Sequence, residues 1–230
     1  MDYNYLDISK MIDHSLLNPV MTDRELDAGC ALARQYDVAS ACVKPYYAKK
    51  CAELLAGSAV AASTVIGFPH GGHKTVVKLA EAQQALEDGA TELDMVVNIG
   101  KVLSEDWPYV RQDIEAVVEL THRAGGLVKV IFENFYLQDR HKIALCQICA
   151  DVGADFVKTS TGYAGGGATM DDLRLMRKHS PASVRIKSAG GIRTLDALLE
   201  VRAIGVSRSG ATRTAEMLDE CRRRLEGVSV

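Results

Sequence analysis

The sequence has few aromatic residues, little net charge and no long apolar run, and each of these absences excludes a class of protein. Aromatic residues make up 6% of the 230 residues, and 27 basic against 30 acidic residues leave a net charge of −3. No uninterrupted apolar run reaches the ~18 residues that a membrane-spanning helix needs. The nearly balanced charge does not favour nucleic acid or an anionic membrane as a partner. We therefore expect neither partner.

Signals for secretion and for metal binding are also sparse. Four charged residues within the first thirteen positions argue against a secretory signal peptide, so we expect a cytoplasmic protein with reduced cysteines. Cys146 and Cys149 have the spacing of a metal or redox motif, but they fall in a helical pattern without a second ligand pair. His70 and His73 have no carboxylate at a familiar ligand spacing. These patterns predict no metal and no other cofactor.

Apolar strand-like runs alternate with helical patterns along the whole chain, and Thr22, Asp171 and Thr194 stand where helix N-caps are expected. Eight strands and about eight helices predict a single (β/α)8 TIM-barrel domain over residues 1–230. The main alternative is an open doubly wound sheet, but no G-x-G-x-x-G segment follows an early strand. The predicted strands are residues 12–17, 40–43, 59–68, 92–99, 127–132, 155–158, 184–187 and 204–209.

Charged residues occupy the strand face that points into this predicted barrel. Strand residues alternate between two faces, so apolar Leu93 and Met95 facing the helices leave Glu92 and Asp94 inside. Isolated buried charges are costly, so such residues must pair, face water or shift their pKa values. The inward charged residues predicted in this way are Asp13, Glu92, Asp94, Lys129, Glu133, Lys158, Arg185 and Lys187.

The position of each charge along its strand separates two roles. Glu92, Lys129 and Arg185 come early in their strands, which favours a structural ion-pair network. Two lysines and an aspartate, described below, lie nearer the C-terminal ends, where the active sites of this fold are found.

Asp94, Lys158 and Lys187 together suit Schiff-base chemistry. A free lysine has a pKa of ~10.4 and is protonated at neutral pH. Burial and a neighbouring cation lower such a pKa to about 7–8, where the amine attacks a carbonyl, and a nearby carboxylate can move protons. The sequence therefore predicts a nucleophilic lysine inside the barrel.

Three small-residue loops follow the last three predicted strands, and they form a candidate anion site. Small residues let backbone N–H groups approach an anion, and loops after strands seven and eight often bind phosphate in this fold. The residues concerned are Gly162, Gly190, Gly191, Gly210, Ala211 and Thr212.

Six segments, in order along nearly the whole chain, resemble those of the deoxyribose-phosphate aldolase family. The 154–162 segment is the most specific of them. They are residues 12–17 (IDHSLL), 65–69 (VIGFP), 92–98 (ELDMVVN), 128–131 (VKVI), 154–162 (ADFVKTSTG) and 187–194 (KSAGGIRT).

This resemblance implies a metal-independent class I aldolase on a TIM barrel. Such an enzyme reversibly cleaves 2-deoxy-D-ribose 5-phosphate to glyceraldehyde 3-phosphate and acetaldehyde, and the family is commonly dimeric or tetrameric. By position, Lys158 matches the imine-forming lysine, Lys187 its pKa-lowering neighbour and Asp94 the proton-transfer carboxylate. The resemblance assigns phosphate binding to Gly162, Gly190, Gly191, Gly210, Ala211 and Thr212, and substrate binding to Asp13, Cys42 and Thr161.

The sequence departs from the family pattern at a few positions. Lys44 stands where a neutral residue is expected, Asn134 follows Glu133 in place of threonine, and the loop after strand eight carries fewer hydroxyl groups. From the residues alone, other functions stay open: a related Schiff-base aldolase with a different substrate, a phosphosugar isomerase or epimerase with carboxylate or histidine bases, and a non-catalytic barrel whose inward charges are structural.

Overall fold

The computed structural model describes residues 2–227 and has eight parallel strands in a closed barrel. Each strand pairs with its neighbours in chain order, and β8 closes the barrel by pairing with β1. The predicted (β/α)8 barrel is confirmed. The strands are β1 (Ile12–Leu16), β2 (Ser40–Val43), β3 (Ala61–Ile66), β4 (Glu92–Val96), β5 (Leu127–Ile131), β6 (Phe156–Lys158), β7 (Arg185–Ala189) and β8 (Arg208–Ala211).

Helices connect the strands on the outside of the barrel, and two short 3-10 turns, Pro45–Tyr47 and Asn134–Tyr136, follow β2 and β5. Across residues 2–227, no helix has both the length and the apolar composition to cross a membrane. The helices are α1 (Tyr5–Ser9), α2 (Asp23–Gln35), α3 (Ala48–Leu55), α4 (Thr75–Glu87), α5 (Ile99–Leu103), α6 (Trp107–Arg123), α7 (Asp139–Asp151), α8 (Met170–His179), α9 (Leu195–Ala203) and α10 (Thr214–Leu225).

Two of the three predicted helix caps are confirmed, and the third is wrong. Thr22 and Thr194 accept hydrogen bonds from backbone N–H groups in the first turns of α2 and α9. Thr169, and not Asp171, caps α8, because its hydroxyl accepts the N–H of Asp172 at 3.1 Å. Asp171 therefore lies inside the first turn, where a carboxylate still suits the helix dipole.

The predicted strand bounds are correct for β2 and differ from the observed ones at one or both ends of the other seven strands. The strand predicted over residues 204–209 is observed at Arg208–Ala211, because Ile204 caps α9 and Gly205 turns the chain with a φ of 95°. The strand predicted over 92–99 ends at Val96, since Asn98 caps α5. The strand predicted over 59–68 is shorter at both ends and covers Ala61–Ile66.

The strand register brings the inward charges of neighbouring strands side by side. Leu93, Met95 and other outward residues are fully buried between the strands and the helices. On the inner face, Asp94 pairs in register with Lys129, and Lys158 pairs with Lys187. Because parallel strands in a closed barrel fix these positions, the charged groups meet with little freedom to move.

Candidate active site

A cavity of about 720 Å³ opens at the end of the barrel where the strands finish. Eleven of the twelve residues predicted for the site line this cavity. The exception is Asp94, which is fully buried and contacts both cavity lysines from beneath. The eleven are Asp13, Cys42, Lys158, Thr161, Gly162, Lys187, Gly190, Gly191, Gly210, Ala211 and Thr212.

Both cavity lysines contact the same carboxylate oxygen. The Nζ of Lys158 lies 2.6 Å from Asp94 Oδ2, and the Nζ of Lys187 lies 2.7 Å from that same oxygen. Lys187 also contacts Asp13 Oδ2 at 2.6 Å. The structure therefore brings together the three side chains that the sequence assigned to the chemistry.

A deeper layer of ion pairs supports this arrangement. The Nζ of Lys129 contacts Glu92 Oε2 at 2.7 Å, Asp94 Oδ1 at 2.8 Å and Asp13 Oδ2 at 3.6 Å. Arg208 closes the layer by donating to Asp13 Oδ1 and, at 3.0 Å, to Glu92 Oε1. These contacts agree with the structural role predicted for Glu92 and Lys129. Arg185 instead stacks on the ring of Phe156, with its guanidinium carbon 4.0 Å from the ring centroid.

Charge balance within the network favours a neutral Lys158. In the described part of the chain, the connected ion pairs join three carboxylates to four cations when every group is ionised. Loss of one proton balances the network, and that proton leaves most easily from the lysine with a single carboxylate contact. Lys158 is that lysine, since Lys187 contacts two carboxylates and Lys129 contacts three.

The pKa shifts follow the same pattern. Burial lowers the pKa of Lys158 below its ordinary value, Asp94 opposes that shift, and Lys187 adds to it. Burial also acts on Lys187, but Asp13 and Asp94 outweigh it and raise the pKa of Lys187. Although burial opposes them, the three lysines around Asp94 hold the pKa of that carboxyl well below its usual range. The arrangement can therefore present one neutral amine beside a cation and a carboxylate.

The loops with Gly162, Gly190 and Gly191 form one side of the cavity, but Gly210 and Ala211, which were predicted to lie in a loop, are the last residues of β8. Gly162, Gly190 and Gly191 all have positive φ values, which favour glycine. A Cβ at Gly190 would lie 3.0 Å from Gly167 Cα, so the two loops pack backbone to backbone. Because no side chain covers these peptide groups, an anion can approach them closely.

Thr161 and Cys42 line the cavity in different ways. The backbone N–H and the hydroxyl of Thr161 both donate to the buried carboxylate of Glu133, which ties the loop after β6 to the end of β5. Cys42 is 2% exposed, and burial raises the pKa of its thiol. Thr161 is thus held in place, and Cys42 presents an uncharged thiol.

Sequence reasoning missed Arg208 and Tyr163, and it did not give the contacts of Glu133 and Lys44. Arg208 was missed because the eighth strand was predicted four residues too early. Glu133 was predicted to point inward, but its role as the acceptor for Thr161 depends on a left-handed backbone, with a φ of 59°. Tyr163 had no pattern to identify it. Lys44 donates to the carbonyls of residues 18, 19 and 21 and is absent from the main cavity lining.

A family model for DeoC/LacD family aldolases matches residues 8–212. The chain belongs to the DeoC/LacD family of aldolases. It is 63% identical to a deoxyribose-phosphate aldolase of Rhodopirellula baltica, over 97% of this chain and 93% of that protein. It is 45% identical to a deoxyribose-phosphate aldolase of Thermococcus gammatolerans, over 94% of this chain and 97% of that protein.

A solved structure of another family member has the same architecture. The tetrameric deoxyribose phosphate aldolase of Aeropyrum pernix superposes with a TM-score of 0.87 at 31% identity, over 95% of this chain and 92% of that chain. The DeoC/LacD aldolase fold thus extends over nearly the whole length of both proteins, including all eight strands that position the site.

Proposed function

We propose that this aldolase reversibly cleaves 2-deoxy-D-ribose 5-phosphate to D-glyceraldehyde 3-phosphate and acetaldehyde through an imine on Lys158. The observation that carries this proposal is the contact of Lys158 and Lys187 with one oxygen of Asp94, at 2.6 Å and 2.7 Å. Relatives that bear the name deoxyribose-phosphate aldolase support the choice of substrate. The carbonyl carbon C1 of the open-chain sugar would be the atom attacked.

Imine formation uses the neutral amine of Lys158. Its Nζ adds to C1, and the carbinolamine then loses water to give a protonated imine, which is a strong electron sink. Asp94 lies 2.6 Å from Lys158 Nζ and can take up and return protons directly or through water. Lys187 stays cationic and disfavours a second positive charge beside it, which keeps the free amine neutral until substrate arrives.

Carbon–carbon cleavage follows from the imine. A base removes the proton of the C3 hydroxyl, the C2–C3 electron pair moves toward the iminium nitrogen, and glyceraldehyde 3-phosphate leaves. The remaining enamine gains a proton at C2, and water hydrolyses the resulting imine to acetaldehyde and free Lys158. We assign the proton transfers to Asp94, with Lys187 as the neighbouring acid.

The other cavity residues hold the substrate in this proposal. Asp13 fixes Lys187, and Cys42 and Thr161 line the cavity around the reacting carbons. The phosphate is placed on backbone N–H groups of the glycine loops after β6 and β7 and of the C-terminal end of β8. The residues proposed for this contact are Gly162, Gly190, Gly191, Gly210, Ala211 and Thr212.

Trapping of the imine tests the proposal. We expect acetaldehyde with sodium borohydride to leave an ethyl group on Lys158, because reduction fixes the imine as a secondary amine. Peptide mass mapping measures the site, and a sample without aldehyde is the control. Peptides that carry no label at Lys158, or labels spread over surface lysines, would contradict the proposal.

Substitution of Gly190 by alanine tests the phosphate site. The new Cβ would press on Gly167 and move the two loops apart. We expect KM for the phosphorylated sugar to rise about tenfold, a loss of ~1.4 kcal/mol, while kcat/KM for 2-deoxyribose stays nearly constant. Gly153→Ala is the matched control, since Gly153 has the same φ of +76° and no atom within 4 Å of a Cβ. An equal loss of kcat/KM with the phosphorylated and the unphosphorylated sugar would contradict phosphate binding at Gly190.

We also propose a cytoplasmic homo-oligomer, a dimer or a tetramer. The tetrameric relative from Aeropyrum pernix supports an assembly of identical chains. Sedimentation equilibrium measures the state directly, and a monomer at micromolar concentration would contradict this part.

A further inference from the structure

A second cavity of about 280 Å³ lies beside the candidate active site, on the side of β1, β2 and β3. We call it the side cavity. Its lining is almost entirely apolar or aromatic, and Lys44 is its one charged residue. The residues that line it are Leu17, Pro19, Lys44, Pro45, Tyr46, Val65, Phe68, Pro69 and Tyr163.

Tyr163 forms much of the wall between the side cavity and the main cavity. Leu17, Pro19 and Tyr163 are the residues that line both. The Tyr163 hydroxyl donates to the Leu17 carbonyl at 2.6 Å, and its ring meets Phe68 edge-on with centroids 5.4 Å apart. The wall is therefore built from Leu17, Pro19 and Tyr163, and the Tyr163 side chain joins the loop after β6 to the residue that follows β1.

The side cavity is lined mostly by residues of β3 and of the loops after β1, β2 and β3. Tyr163 is the exception, because it lies in the loop after β6. Leu17, Cys42 and Val65 pack together as an apolar cluster, with Cys42 on the main cavity and Val65 on the side cavity. Cys42 and Lys158 line the same cavity and Cys42 acts on the Lys158 amine, so in the proposed reaction the donor carbons bonded to Lys158 lie beside this cluster.

We propose that Tyr163 is a specificity-determining residue that limits the donor to short aldehydes by closing the side cavity from the main cavity. The inference rests on the proposed function, because in that reaction C1 and C2, at the end of the sugar away from the phosphate, form the donor aldehyde. Loss of the ring would join the two cavities and expose apolar surface to the alkyl chain of a longer donor. Each methylene buried there is worth about fourfold in binding.

Donor competition in the full-length Tyr163→Ala variant tests this role. The aldol addition of acetaldehyde and of hexanal to glyceraldehyde 3-phosphate is compared, with kcat/KM measured for each donor. We expect the hexanal-to-acetaldehyde ratio to rise at least about tenfold, from burial of two or more methylenes. Tyr46→Ala is the matched control: Tyr46 lines only the side cavity and is 67% exposed, so this variant enlarges that cavity and leaves the wall intact.

A conservative variant separates the steric effect of the ring from the effect of its hydrogen bond. Tyr163→Phe keeps the ring and loses the hydrogen bond to the Leu17 carbonyl. We expect its hexanal-to-acetaldehyde ratio of kcat/KM to stay within about threefold of the wild-type ratio, which is less than the effect of one buried methylene. Three results would each contradict a steric role for the Tyr163 ring. They are a hexanal-to-acetaldehyde ratio of kcat/KM that is unchanged in Tyr163→Ala, one that rises as much in Tyr46→Ala as in Tyr163→Ala, or one that rises as much in Tyr163→Phe as in Tyr163→Ala. Borohydride labelling of Lys158 by acetaldehyde is measured alongside, and its absence in wild type would refute the proposed function instead.

Discussion

Substitution of Lys158 by arginine is expected to abolish aldol cleavage, with kcat lower by about four orders of magnitude or more. A guanidinium stays protonated and cannot form an imine, although it keeps a positive charge beside Asp94. Lys158 has Asp94 as its close ionic partner at 2.6 Å, so the interior can retain that ion pair. Cleavage of 2-deoxy-D-ribose 5-phosphate, followed through acetaldehyde release, measures the loss.

The same variant separates imine chemistry from the isomerase or epimerase and from the non-catalytic barrel, which the sequence left open. A phosphosugar isomerase or epimerase that uses carboxylate or histidine bases would keep part of its activity in Lys158→Arg. A non-catalytic barrel would bind phosphosugar unchanged and turn over no aldehyde, even in wild type. Calorimetric titration with the phosphosugar provides the binding control, and thermal unfolding shows that the variant is folded. Substantial residual cleavage would contradict the imine mechanism.

Substitution of Lys187 by leucine is expected to move the acidic limb of the pH–rate profile to higher pH. Activity requires neutral Lys158, so the rate rises with pH through the pKa of Lys158. Burial and Lys187 lower that pKa, whereas Asp94 raises it. Without Lys187, one lowering cause is lost and Asp94 has one cation fewer to neutralise it, so both changes raise the pKa. At neutral pH we expect kcat/KM to fall about 100-fold or more.

The pH dependence of kcat/KM and of borohydride labelling at Lys158 measures this effect. Lys78→Leu is the control, because Lys78 is also fully buried and contacts Asp113 at 2.5 Å, but it lies between α4 and the outside of the barrel. That variant loses a buried ammonium and some stability, and its acidic limb should stay in place. An acidic limb that is unmoved in Lys187→Leu would show that Lys187 does not tune Lys158.

Much of the architecture could be predicted because the local patterns agree with one another. Alternating apolar residues in β4 and β5 identified the inner face correctly, so Asp94 and Lys129 were expected inside the barrel, where they are fully buried. The threonines at the starts of α2 and α9 marked those helices. Such signals depend on a few neighbouring residues, and they survive without knowledge of the rest of the fold.

The parts that could not be predicted depend on contacts between distant segments. Arg208 pairs with Asp13, 195 residues away in the chain, and neither residue carries a local sign of the other. Tyr163 meets Leu17 across 146 residues. The start of β8 was misplaced because Ile204 and Val206 are apolar like strand residues, although Ile204 caps α9. These two contacts and the start of β8 are all determined by tertiary packing, which local sequence patterns do not reveal.

The ion pairs inside the barrel also bear on how such an enzyme can change over evolution. Lys158, Lys187 and Asp94 lie on strands whose positions are fixed by hydrogen bonds on both sides. Tyr163, Gly162, Gly190 and Gly191 lie on loops outside the strands that close the barrel. The residues that make and break bonds therefore lie on the barrel strands, and residues proposed to select the substrate lie on loops. A lineage can acquire new substrates by changes in these loops while the position of the reacting amine is kept.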